Sequence, residues 1–257
     1  QVYNKVGTPG TVPNNFSFLG AVGQRMDEGA VPQDGRCLIL NSAANWALAS
    51  GLSTLYVRSV AEPALKGYLA SIANFDIYMD QNIQVETVGD YAGAGVVLGA
   101  GQTGGSLVTN GWTPNIAGLL LQGNVFTIQG VFAVNPQNYQ TTGALQNFVV
   151  TADADSNGAG ASTIGIYPAI TTSGAYQTVT NSPANGATIT VIGTASTQYA
   201  QNIGFVRDAF GLVTVPKEIP DGVDFAARET YKTISMRIVR AYDINNDVTP
   251  CRIDVMY

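Results

Sequence analysis

Apolar and polar residues alternate in two runs near the end of the chain: Ile234, Met236 and Ile238 with Ser235 and Arg237, then Cys251, Ile253, Val255 and Tyr257 with Arg252 and Asp254. A period of two sends successive side chains to opposite faces of a strand. Asp243-Ile244-Asn245-Asn246-Asp247 between them carries short side chains that bond their own backbone and favour turns. The pattern predicts a long hairpin over 228–257. Its apolar face should pack inside the subunit, and its arginine-lined face should be wet or meet a neighbour. The alternation continues to Tyr257 with no turn or cap, and Gln1 is not an initiator Met, so the chain reads as a fragment of a longer protein.

Helical spacing is confined to the first quarter. Asn14 or Asn15 offers an N-cap, and Leu19, Val22 and Met26 repeat at helical intervals until Gly29 and Pro32. Residues 1–13, with Gly7, Pro9, Gly10 and Pro13, read as a loop or arm that needs a partner surface. Gly35–Leu40 reads as a strand. Ser42 then caps a second helix, whose Ala43, Trp46 and Ala47 share a face until Gly51. Glu62-Pro63 opens a short helical turn, and Phe75, Ile77 and Met79 alternate in another strand.

Beyond Asp90 the pattern shortens. Ser106–Thr109, Asn124–Ile128, Val131–Val134, Gln146–Thr151, Thr163–Tyr167 and Thr188–Ile192 are β-rich runs. Gly123-Asn124, Gln129-Gly130 and Asn185-Gly186 supply turns between them. Six short strands predict a small barrel or sandwich, which protects sheet edges. Two apolar strands, Ile203–Val206 and Phe210–Val215, flank a charged bend at Arg207-Asp208.

Charge sharpens this division. The chain holds 12 Lys+Arg and 18 Asp+Glu, yet between Tyr91 and Val206 only Asp153 and Asp155 are charged. Such a shift marks a separately built unit inserted into an α/β unit that resumes near Tyr199. The net charge of −6 gives no general attraction for phosphate backbones. Cys37 and Cys251 lack a paired spacing and read as two buried reduced thiols, consistent with an intracellular folding environment. No run reaches the roughly 18 apolar residues of a membrane span, and no leader pattern opens the chain.

Candidate chemistry is sparse. The absence of histidine removes Ser-His-Asp and Cys-His nucleophile systems and HExxH zinc sites. Ala92–Gly105 (AGAGVVLGAGQTGG) has phosphate-loop glycines but neither the Lys of a P-loop nor the acidic residue of a dinucleotide site, and reads as a linker or bulged strand. Asp153, Asp155 and Asn157-Gly158 match half of a calcium loop whose twelfth position is Ile164 instead of Glu; a polar turn and a charged contact loop are the other readings. Asp221, Asp224, Arg228, Glu229 and Lys232 mix both signs in a loop and strand entrance. Arg237, Arg240 and Arg252 line the hairpin as a wet face or an intersubunit ion-pair surface. The sequence nominates no catalytic, cofactor-binding or metal residue.

Several stretches together resemble the major capsid (coat) proteins of tailed double-stranded-DNA bacteriophages. They are Val31–Leu48 (VPQDGRCLILNSAANWAL), Asn74–Ile83 (NFDIYMDQNI), the charge-poor insertion, Arg207–Pro220 (RDAFGLVTVPKEIP) and Thr230–Tyr257. The short-tailed branch, with a β-barrel inserted into the Hong Kong-type capsid fold, is most similar. The resemblance implies an α+β chain: an axial domain in two parts, 1–90 and 199–227, an inserted six-stranded barrel at 91–198, and a peripheral-domain hairpin at 228–257. It also implies an arm and a long spine helix ahead of the axial domain, and residues after the hairpin. It implies a structural, non-catalytic subunit that assembles with itself as hexamers and pentamers into an icosahedral shell. Scaffolding and portal proteins would be partners, and DNA would be held only by enclosure, with no membrane. The particle would be a virion assembled in the bacterial cytoplasm. On this reading Asp153, Asp155, Arg237, Arg240 and Arg252 are subunit-interface candidates. A β-rich adhesin or carbohydrate-binding module, with an exposed aromatic platform on the insertion, is the alternative. An aspartate-based enzyme would need a deep pocket with two converging carboxylates.

Overall fold

The computed structural model describes residues 2–52 and 71–256. The helical turn expected at Glu62-Pro63 lies outside them. The chain forms two compact units, Gln1–Arg207 and Asp208–Tyr257.

In the first unit, helix α1 (Phe16–Glu28) starts at Asn15, whose side chain accepts from the Phe18 backbone N–H, and ends at Gly29. Strand β1 (Arg36–Leu40) leads into α2 (Ser42–Leu52), then β2 (Ser71–Ile72) and β3 (Phe75–Met79). Strand β1 runs parallel to β3 and antiparallel to β12 (Ile203–Val206), so the sheet order is β12-β1-β3-β2. Leu19, Leu38, Leu40, Leu48, Leu52, Phe75 and Ile77 bury together between helices and sheet.

Two details of α2 differ from the sequence reading. Its cap is Asn41, whose Oδ1 accepts from the Ala44 N–H at 2.8 Å. Its buried face is Ala44, Asn45, Leu48, Ala49 and Leu52, and Trp46 is exposed. Trp46 is wide enough to mark a face, but the leucines one turn on fit the sheet. Gly51 is required because a Cβ there would lie 1.6 Å from the Asn14 carbonyl oxygen; it permits close approach and does not end the helix.

Arg36 is a buried cation. It donates to Asp27 Oδ1 (2.6 Å) and to the carbonyls of Pro32 (2.9 Å) and Val31 (2.8 Å), tying the loop after α1 to β1. Arg36→Ala strands two carbonyls and is expected to lower stability by about 2–3 kcal/mol, read as a lower urea midpoint at unchanged slope.

A two-stranded ribbon, β4 (Val85–Thr87) against β11 (Gln198–Ala200), leads out to a nearly closed barrel. Its strands are β5 (Gly93–Val97), β6 (Gly104–Trp112), β7 (Val125–Val134), β8 (Thr141–Val150), β9 (Ser162–Ile170) and β10 (Ile189–Val191). They are ordered β10-β7-β8-β9-β6-β5. The Val96–Thr188 bridge and the bonds Val97 N–H to Ala187 O (3.0 Å) and Gly186 N–H to Val97 O (2.9 Å) bring the two edges together. Leu107, Phe126, Ile128, Phe148, Val150, Ile164 and Ile166 fill the interior, separately from the helix-and-sheet core.

The barrel has six strands, but not from the six runs expected. Gln129-Gly130 is an irregularity within β7 instead of a turn, so two runs are one strand. The sixth strand is the glycine-rich stretch. A Cβ on Gly95 would lie 2.1 Å from the Trp112 ring, so the glycines let that indole cross the strand.

The second unit is a three-stranded antiparallel sheet, β13 (Phe225–Tyr231), β14 (Ile234–Arg240) and β15 (Cys251–Val255), ordered β13-β14-β15. The expected hairpin therefore has a third strand. Phe210–Val215 is not a strand: residues 210–220 form an extended strap, with Leu212, Val213 and Val215 exposed.

The faces of this sheet are reversed from the expectation. Ser235 and Asp254 are 5% and 8% exposed, whereas Met236 and Ile253 are 50% and 68% exposed. The strap ties to the polar face: Thr214 donates to Thr233 O, Val215 N–H to Met256 O, Arg228 to Lys217 O and Arg237 to Glu218 O. Phe225, Tyr231, Ile234, Met236, Ile253 and Val255 share the opposite, exposed face. Cys251 is likewise exposed, contrary to its reading as a buried thiol; Cys37 is buried.

Candidate subunit-contact site

The barrel's two aspartates sit on the segment after β8. Ala154 exchanges both backbone bonds with Leu120 (2.9 and 3.2 Å). On either side, Asp153 Oδ1 accepts from the Gln122 N–H and Asp155 Oδ1 from the Gly118 N–H, each at 2.7 Å. Asn157 Oδ1 accepts from the Ala159 and Ala161 N–H groups. The aspartates of the half-calcium pattern therefore staple this segment to the 118–122 segment, while Asn157 makes the local turn bonds usual for a short amide side chain. Both aspartates are exposed. Among the described residues, no group of three His, Cys, Asp or Glu side chains is placed to hold a metal ion.

In the second unit, a hairpin folded at Asn245-Asn246 puts Arg237 opposite Asp254. Arg237 reaches Asp254 Oδ2 through Nε (3.2 Å) and Nη2, and Arg252 Nε reaches Oδ1 at 2.5 Å. Paired planar donors suit a carboxylate and allow it to be buried. Arg237 is consequently internal, with 17% of its side chain exposed against 71% for Arg252. Arg240, half exposed, pairs with Asp224 at 2.7 Å and lies 6.0 Å from the Phe225 ring centroid. Arg237, Arg252 and Asp254 occupy one face of the hairpin, whereas Arg240, expected beside them, lies on the opposite face with Phe225 because it is three positions from Arg237 along the strand.

The hydrogen bonds from Arg237, then those from Arg252, hold the Asp254 carboxyl below its ordinary pKa. A depressed carboxylate stabilises the fold above its unfolded pKa, and that contribution is lost as pH falls through the folded value. Acidification below the usual carboxylate range is therefore expected to loosen the strap at 214–218, read as faster amide exchange there. Asp254→Asn is expected to show the loosened strap already at neutral pH and to flatten that part of the pH dependence.

A cleft of about 120 Å³ lies within the first unit, lined by Tyr3, Arg25, Glu28, Thr142, Gln146 and Thr178 among others. Among the described residues, Glu28 is the one carboxylate in its lining, and Arg25 Nη1 is 3.5 Å from it. The barrel exposes Tyr139, Tyr167 and Tyr176, but Tyr3 meets Tyr167 edge-on at 68°, which covers part of that ring.

The sequence reading missed Asn124 and Glu86, which join barrel and stem. Asn124, 1% exposed, donates to Glu86 Oε1 (3.1 Å) and Thr87 O (3.0 Å). Its Oδ1 accepts from Gly89 N–H (2.8 Å) and Leu121 N–H (3.0 Å). A Gly-Asn pair reads as a turn, and nothing in its local pattern marks a buried hub.

A family profile described as "P22 coat protein - gene protein 5" matches residues 108–257, more than half of the chain. Among solved structures, a chain described as "CUS-3 coat protein I-domain" is similar, with 24% identity and a TM-score of 0.26, covering 45% of this chain and all of that one. A search of curated proteins returned no match. The family match runs from β6 of the barrel through the closing sheet, and the chain belongs to the P22 coat protein family.

Proposed function

We propose that this chain is the shell-forming part of a major capsid subunit, and that many copies close around phage or prophage DNA as an icosahedral particle. The family match over 108–257 carries the reading. The role is structural. A Hong Kong-type arrangement, with residues 1–90 and 199–227 as axial domain, 91–198 as inserted barrel and 228–257 as peripheral domain, is the fold we propose. Two separate apolar cores in the first unit support an insertion of this kind.

Closed shells use the same patches on every copy, so moderate contacts are repeated by symmetry. The exposed apolar face of the closing sheet supports a role in contact, since large exposed apolar patches mark interaction sites. We further propose Arg240, Arg252, Asp153 and Asp155 as ion-pair partners across capsomer boundaries, with Arg237 holding the sheet that presents two of them. Scaffolding and portal proteins are the other proposed partners, DNA is enclosed without specific grip, and assembly takes place in the host cytoplasm.

Sedimentation velocity tests the reading. The gene product carrying this sequence, produced in bacteria with its scaffolding partner, is expected to yield particles sedimenting far ahead of the subunit. Only subunit-sized species would contradict it.

A further inference from the structure

The barrel joins the helix-and-sheet core through a short stem, beside which Arg25 Nη2 of α1 reaches the Leu145 carbonyl of β8 at 3.5 Å. The β4–β11 ladder has three residue pairs, Gln198–Thr87, Tyr199–Glu86 and Ala200–Val85. An isolated two-stranded ribbon is marginal in water, so something else must hold it straight. The arm, residues 2–13, runs along it. Lys5 Nζ meets Glu86 Oε2 at 2.5 Å, with side-chain exposures of 19% and 14%. The same Glu86 takes the Asn124 amide from the barrel on its other oxygen. Asn147 of β8 donates to the Lys5 carbonyl at 3.3 Å, and the Tyr3 and Tyr167 rings are 5.7 Å apart. At the other end the arm enters α1 through its Asn15 cap.

Arm, stem and barrel thus meet at Lys5 and Glu86, yet the arm itself is lightly held. Its backbone has the Thr11 N–H to Thr8 O bond and no regular secondary structure. Elements with few backbone bonds open at low free energy. Lys5 and the Asn124 amide divide the two Glu86 oxygens between them, so removing the ammonium leaves one oxygen of a largely covered carboxylate without its partner. We propose that residues 2–13 brace the barrel on its stem, with Lys5 on Glu86 as the latch; without the latch the stem loosens and the position of the barrel broadens. The brace does not depend on assembly and applies to the subunit alone.

Amide exchange followed by mass spectrometry tests this on the whole chain. In Lys5→Met, exchange is expected to rise about tenfold at residues 2–13, 84–88 and 197–201, with β1, β7 and β8 unchanged. The exchanged pair Lys5→Glu with Glu86→Lys should restore protection. Spin labels at Ala43→Cys on α2 and at the exposed Ser173→Cys on the barrel, in a Cys251→Ser background, should show a broader distance distribution in Lys5→Met. A rise confined to the arm, or an equal rise throughout the unit, would overturn the proposal, as would an unchanged distance distribution.

Discussion

Truncation of Phe126 to alanine is expected to lower stability by about 3–5 kcal/mol, the usual range for a fully buried aromatic. Phe126 is 0% exposed in β7, and its ring centroid lies 6.0 Å from that of Phe148 inside the barrel. Neighbouring strands are hydrogen-bonded on both sides and cannot collapse freely into the void. Urea unfolding followed by the fluorescence of buried Trp112 measures the loss. Phe132, on the same strand but 37% exposed, is the control and should change stability by less than about 1.5 kcal/mol on truncation. Equal losses at both positions would mean that the barrel interior is misassigned.

Asn124→Ala is expected to remove about 2–5 kcal/mol, because the Gly89 and Leu121 N–H groups lose their acceptor in a buried site. Asn124→Asp separates the two halves of this role. It keeps an acceptor for both N–H groups but places a second carboxylate against Glu86. Repulsion raises the folded pKa of the introduced carboxyl. The destabilisation should therefore be largest at neutral pH and shrink as pH falls and the pair takes up a proton. A pH-independent loss would show that the amide donors matter only as packing.

How much of this was legible in the sequence differs by element. The Asn15 cap, the Leu19-Val22-Met26 spacing and the Gly29 stop gave α1 almost to the residue, since each is a local signal. The barrel was legible as a charge-free block of β-rich runs. Its glycine-rich strand was open between linker and bulged strand because the glycines answer to Trp112, seventeen residues from Gly95 along the sequence. The closing sheet shows the limit of alternation. A period of two divides side chains into two faces, but which face is covered depends on what lies above it. Arg237 and Asp254 neutralise one another by register, so the polar face can be buried beneath the strap, while Met236 and Ile253 stay exposed. Phe210–Val215 reads as a strand for the same reason: apolar residues predict a partner and cannot name it.

Among the interface candidates, sequence gave residue types and the structure gave their present occupations. Arg237 is tied to Asp254 of its own sheet and to the Glu218 carbonyl of the strap, and the two aspartates each use an oxygen on a backbone N–H. Arg252 projects with 71% of its side chain exposed, which makes it the clearest probe of contact between copies. Arg252→Gln, which gives up the charge and the Asp254 ion pair without setting a second carboxylate beside that residue, is expected to lower subunit stability only modestly and to reduce the yield of fast-sedimenting particles.

Cryo-electron microscopy of particles purified from cells producing the gene product tests the central claim most directly. The account predicts a closed icosahedral shell in which every subunit carries a six-stranded barrel joined by a two-stranded stem. Open or irregular aggregates without a repeating subunit, or a closed shell whose subunits lack the barrel, would contradict it.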